Sequence, residues 1–271
     1  MLLVLVLIGA LGGFLAGLIG IGGGVIFGPA LFFVFQAAGI QDPVLTPLTL
    51  GSSLFCTLAA SASGAVGQRH ARAIDGRAAI VTGGIAAAIG VAVAVFVSTQ
   101  PWYDKTAFQI VLGLVLAVVV VRMLTDRSEA DGTLSTDGAR RGWGRLATTG
   151  TVAGALASLA GVGGGVVLVP AFHSLIRLPL KVASGTSTAS IVLITGALTI
   201  TYALLGLDAP VPEGALGYVG WRASAALAVP AIVTARVGVW AAHRLDVRVI
   251  RYAFAALAAF VAVRMLWDAL G

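Results

Sequence analysis

The sequence predicts an all-α polytopic membrane protein built from two homologous halves arranged as inverted repeats. Each half is expected to hold a glycine-broken helix or short helix pair followed by three full spans. Three observations carry this. Hydrophobic residues make up 59% of the 271 residues and charged residues only 10%, with a mean hydropathy of +1.02. A soluble domain carries about 25% charged residues. A glycine run inside an apolar segment occurs twice, and basic residues gather in alternate loops.

Apolar stretches run 2–17, 24–38, 48–67, 78–98 and 106–124. A polar stretch rich in Asp, Gly, Ser, Thr and Arg follows, and the series repeats over 146–160, 165–176, 184–206, 217–240 and 250–267. The expected division is a first half 1–125, a cytoplasmic linker 126–145 and a second half 146–271. Met1 is followed at once by apolar residues with no basic leader, so the first segment is expected to stay uncleaved. The single cysteine, Cys56, excludes an internal disulfide and a multi-cysteine metal site.

The duplication is legible residue by residue. Gly20, Gly22, Gly23, Gly24, Val25 and Pro29 align with Gly161, Gly163, Gly164, Gly165, Val166 and Pro170. Gly51-Ser52-Ser53 echoes Gly185-Thr186-Ser187, and Val121-Arg122-Met123-Leu124 echoes Val263-Arg264-Met265-Leu266. The echoes keep the same order in both halves. Gly13-x-x-x-Gly17 and Gly150-x-x-x-Gly154 have the spacing for close helix packing, which is the competing reading for glycine in membrane helices.

The first two segments of each half are short for a hydrocarbon core of about 30 Å. They form two thin spans, a re-entrant hairpin or one broken helix. Charge separates the topologies. If each pair returns to its starting side, loops on one face carry twelve Lys or Arg and loops on the other carry one. If each pair crosses once, the count becomes seven against six. The positive-inside rule then favours the paired arrangement, both termini outside and the halves inverted. Inverted halves with a broken segment in each are typical of secondary transporters.

Glycine clusters break helices. In lipid, broken backbone is tolerated only where protein or a cavity covers it. The N–H groups exposed at such a break, at a helix start, can hold an anion. Gly22, Gly23, Gly24, Gly163, Gly164 and Gly165 are the candidate nests, with Gly20, Pro29, Gly161 and Pro170 shaping the breaks. Ser52, Ser53, Thr186 and Ser187 are candidate hydroxyl donors, with back-bonding to a carbonyl one turn earlier as the alternative. Lys181 and Arg236 are candidates for drawing anions in, or are ordinary topology and snorkelling residues. Arg122 and Arg264 read as interfacial anchors. Asp75, Asp104, Asp208 and Asp246 read as loop or boundary residues, which weakens a carboxylate proton relay. His70, His173 and His243 show no metal-ligand spacing.

The run 17–29, its echo 161–170 and the segment Lys181-Val182-Ala183-Ser184-Gly185-Thr186-Ser187 resemble the sulfite exporter TauE/SafE family. The resemblance covers essentially the whole chain. It implies a multi-pass carrier in the cell membrane moving sulfite, sulfoacetate or related small organosulfur anions, with the lipid bilayer as its other partner. No cofactor, metal or nucleic acid is implied; the coupling ion and a homo-oligomer stay open. A gated anion channel and a carrier for a non-sulfur anion remain the alternatives. Enzyme readings fail on the residues: position 25 is Val where a dinucleotide fingerprint needs glycine, the P-loop Lys-Ser/Thr pair is missing, and no in-membrane base accompanies the serines.

Overall fold

The computed structural model describes residues 2–98, 100, 102–125, 142–244 and 248–270. Residues 126–141 of the expected linker, Asp246, and the side chains of Arg122 and His243 lie outside the described residues. The described chain is helical: α1 Leu2–Ile19, α2 Gly24–Ala37, α3 Leu45–His70, α4 Gly76–Val93, α5 Lys105–Thr125, α6 Trp143–Ala160, α7 Gly165–Pro170, α8 Leu180–Leu205, α9 Trp221–Arg244 and α10 Arg248–Leu270. α4 runs on into a π-helical turn, Ala94–Ser98, and α7 into another, Ala171–Leu175.

Among the described residues, four stretches are long and apolar enough to cross a membrane: Leu45–His70, Gly76–Val97, Leu180–Leu205 and Trp221–Ala242. α5 and α10, with 21 and 23 residues, reach about 32 and 35 Å at 1.5 Å per residue. α1 and α2 have 18 and 14 residues, the shortness that left their arrangement open in the sequence. They are two separate helices with different partners: α1 lies on α9, and α2 on α3.

Helices before residue 126 interlock with helices after residue 141. α3 and α8 pack on each other; α9 covers α1 and α3; α4 covers α6 and α8; α5 lies on α10. Close approach explains the glycine stripes. A Cβ at Gly9, Gly13 or Gly17 of α1 would collide with backbone of α9 at Leu227, Ala231 or Ala235. On α6, a Cβ at Gly150 would lie 2.8 Å from the Thr82 carbonyl, and one at Gly154 would strike the Ala86 carbonyl of α4. The four-residue spacing predicted packing, and it is packing. Without a hydrophobic drive between helices in lipid, such backbone contact is a main source of association. Another face of α1 presents exposed Leu3, Leu7 and Leu11, one apolar row turned outward.

α3, the span expected over 48–67, buries a row of hydroxyls: Thr46, Thr49, Ser52, Ser53, Thr57, Ser61 and Ser63. Hydroxyls in lipid need acceptors. Thr49, Thr188, Thr195, Thr201 and Thr234 take the carbonyl one turn back.

Candidate functional site

α1 stops at a short glycine turn. Gly20 and Gly22 have φ of 76° and 78°, a left-handed backbone that glycine adopts without the Cβ penalty. α6 stops the same way: Gly161, Gly163 and Gly164 have φ of 67°, 73° and 78°. The aligned glycines 20/161 and 22/163 share the conformation. Gly23, the counterpart of Gly164, is right-handed at φ −74°. What forbids a side chain at Gly23 is the buried Phe27 ring, which a Cβ would strike.

The two turns meet. A Cβ on Gly24 would lie 2.6 Å from Val162 Cα and 2.8 Å from the Gly161 carbonyl. Its counterpart Gly165 is tighter still, since a Cβ there would strike the Ile21 carbonyl. Thr57 of α3 and Ile191 of α8 clamp both turns: each lies within 3.3 Å of a Cβ placed on Gly22 or on Gly163. Residues 22–25 and 162–166 are all buried. Among the described residues, the amides of 21–25 and 162–166 donate no backbone hydrogen bond. First-turn amides lack helical partners by construction. An apolar cleft lined by Leu15, Ile19, Ile21 and Ile26 runs along the first turn.

All four predicted hydroxyls are fully buried at these turns. None of them bonds one turn back. Ser53 donates to the Gly161 carbonyl at 2.9 Å, and Ser187 donates to the Gly20 carbonyl at 2.9 Å. Ser52 accepts the Gly220 N–H at 2.9 Å, ahead of α9, and Thr186 accepts the Asp75 N–H at 2.9 Å, ahead of α4. Every bond therefore joins residues before 126 to residues after 141. Gly51 and Gly185 make room for this, because a Cβ at either would strike the Tyr218 or Ala73 carbonyl.

The prolines act differently. Pro29 lies inside α2, which continues through it, whereas α7 ends at Pro170 and passes into the π-helical turn. Lys181 and Arg236 are exposed, and Arg236 shares its face of α9 with exposed Val233 and Val237. The structure brings the glycines and hydroxyls together and leaves these two cations on the surface. Asp75 and Asp104 accept the N–H groups of Ala78 and Ala107 at helix starts, the boundary role expected of them. Arg264 pairs with Asp268 at 3.4 Å one turn on. Among the described residues no three His, Cys, Asp or Glu side chains gather as metal ligands.

Sequence reasoning missed three contributors. Tyr103 and Tyr202 donate to the Leu159 and Ser158 carbonyls in the last turn of α6, at 2.6 and 3.1 Å. Burial, and then the neighbouring Tyr202, push the Tyr103 phenol above its ordinary range, so it stays a donor. Thr57 is the third. Its spacing of four from Ser53 puts both on one helix face, a signal that was available.

Long apolar helices folded around two touching glycine turns define a multi-pass membrane protein. The sulfite exporter TauE/SafE family model matches residues 5–265, and the chain belongs to that family, one of transporters and not enzymes. A "Probable membrane transporter protein" of Haemophilus influenzae is 26% identical over 97% of both chains. A protein of Methanocaldococcus jannaschii with the same description is 24% identical over 97% of this chain and 94% of its own. A third, from Bacillus subtilis, is 24% identical over 68% of this chain and 71% of its own. No solved structure matches the chain at a significant level.

Proposed function

We propose that this protein is a secondary carrier for a small anion, sulfite or a related organosulfur anion, and that the paired glycine turns form its binding site. The reading is carried by one observation: two sets of buried backbone amides without backbone acceptors lie where the two glycine turns that end α1 and α6 meet. Buried unpaired N–H groups are costly, and an anion is the ligand that satisfies several at once. The proposed halves are 1–125 and 146–271, inverted, with a cytoplasmic linker. The reciprocal contacts support this: Gly24 on Val162 against Gly165 on Ile21, and Ser53 on Gly161 against Ser187 on Gly20.

In the described conformation the turns press on each other. Substrate enters when they part. Ser53 and Ser187 then lose their carbonyl acceptors and turn their hydroxyls to the anion, with Ser52 and Thr186 holding the α9 and α4 entries beside it. The sulfur-anion preference is taken from the family's name.

The test is transport in proteoliposomes against sulfite, sulfate, sulfoacetate, acetate and chloride. Saturable uptake with counterflow of one of these anions is the expected result. Unsaturable conductance identifies a gated channel. Transport of cations alone overturns the anion reading.

A further inference from the structure

The Thr57 hydroxyl has no hydrogen-bond partner although the residue is fully buried. The usual solution for a helical threonine, the carbonyl one turn back, is taken by five other threonines of this protein but not by Thr57. Its methyl and hydroxyl are sorted. The methyl Cγ2 faces the left-handed glycines: it lies 3.1 Å from a Cβ placed on Gly22 and 2.9 Å from one placed on Gly163. The hydroxyl Oγ1 faces the start of the 14-residue helix α2, 2.9 Å from a Cβ placed on Gly24. Ser184 also lacks a partner beside Gly20, but the Thr57 donor is the one aimed at a helix N-terminus whose first amides make no backbone hydrogen bond, and there it is placed for an anion.

The opposite wall lacks this group. In the alignment that pairs Ser53 with Ser187, Thr57 pairs with Ile191, and the Ile191 Cδ1 lies 3.3 Å from a Cβ placed on Gly22. Facing Gly22 and Gly163, α3 thus contributes a hydroxyl-bearing Thr57 where α8 contributes the apolar Ile191, while the α8 hydroxyls of Ser184 and Ser187 lie earlier on that helix, against Gly20.

We propose that Thr57 is a substrate-contacting residue that sets affinity: its hydroxyl donates to the anion held by the 22–24 amides, and Ile191 packs against the ligand's less polar side. The proposal rests on the anion reading above. The experiment is titration calorimetry on purified full-length protein, with sodium sulfite under anaerobic conditions, sodium acetate and sodium chloride as probes. Thr57→Val keeps the shape and removes the donor. For the anion that wild type binds best, it should weaken affinity at least tenfold, as expected for a hydrogen bond to a charged group. Thr57→Ser should stay within about threefold of wild type, because the donor remains. A purely packing role would give the reverse order, with Ser, which lacks the methyl, the worse variant. If Thr57→Val does not fold, Thr57→Ala reads the same donor. Wild-type affinity in a donor-free variant overturns the assignment of Thr57 and leaves the anion reading standing. Wild-type protein that binds none of the three probes overturns that reading, and the Thr57 assignment with it.

Discussion

Ser187 donates its hydroxyl to the carbonyl of Gly20 across 167 residues of sequence, at 2.9 Å and out of contact with water. The bond ties the N-terminal third of α8 to the turn that ends α1, and Ser53 of α3 bonds the turn that ends α6 in the same way. Ser187→Ala and Ser53→Ala should each destabilise the protein by about 1–3 kcal/mol, since each strands a buried carbonyl. Unfolding midpoints in detergent measure this. Unchanged midpoints in both variants would show that the bonds add no stability.

Gly164→Val and Gly23→Val should each abolish transport, for different reasons. At Gly164 the backbone is left-handed, with φ 78°, and a Cβ would lie 2.7 Å from the Ala153 carbonyl. At Gly23 the backbone suits any residue, and only the Phe27 ring is in the way. Gly23→Val should therefore be partly rescued by Phe27→Leu, while no single partner change should rescue Gly164→Val. Uptake assays on the inserted variants separate the two.

Glycines in open space should behave oppositely. Gly84 of α4 has nothing within 4 Å of a built Cβ. Gly84→Ala should raise stability by up to about 1 kcal/mol through helix propensity alone. Gly17→Ala, against the Ala235 carbonyl, should lower it. Thermal melts of the pair check whether the α1–α9 contact is as tight as described.

Membrane sidedness follows from loop charge. In a Cys56→Ala background, Gln41→Cys and Asp208→Cys should react with an impermeant thiol reagent added outside intact cells, and Ala71→Cys should not. All three parent residues are exposed, so reactivity reports the side of the membrane. Opposite labelling at 41 and 208 would overturn the inverted arrangement.

The glycine turns were legible in the sequence because glycine is the one residue whose chemistry announces backbone conformation. Helix existence and the Gly13/Gly17 and Gly150/Gly154 packing faces were legible for a related reason: hydropathy and spacing are local. What Ser53 or Thr186 touches was not. Both were read as facing substrate or their own helix, and both bond backbone in the other half of the chain. Nothing within a few residues of Ser53 distinguishes the Gly161 carbonyl from any other acceptor. Arg236 shows the converse: a charge deep in an apolar stretch suggests a cavity, and yet its side chain is exposed on α9. The mid-helix position was visible, but the direction it faces depends on which side of α9 meets α1 and α3.

The interleaving of the halves also fixes a timetable for making the protein. Ser53 finds its acceptor 108 residues later in the chain, which at about 5–20 residues per second is a wait of roughly 5–20 s on the ribosome. Throughout that interval α1 has no α9 against its glycine stripe, and α4 has no α6. The nascent first half must be harboured by the insertion machinery or by lipid until its partners emerge. A chain cut after residue 125 would carry α1 to α5 but none of α6, α8, α9 and α10, against which α1, α3, α4 and α5 pack.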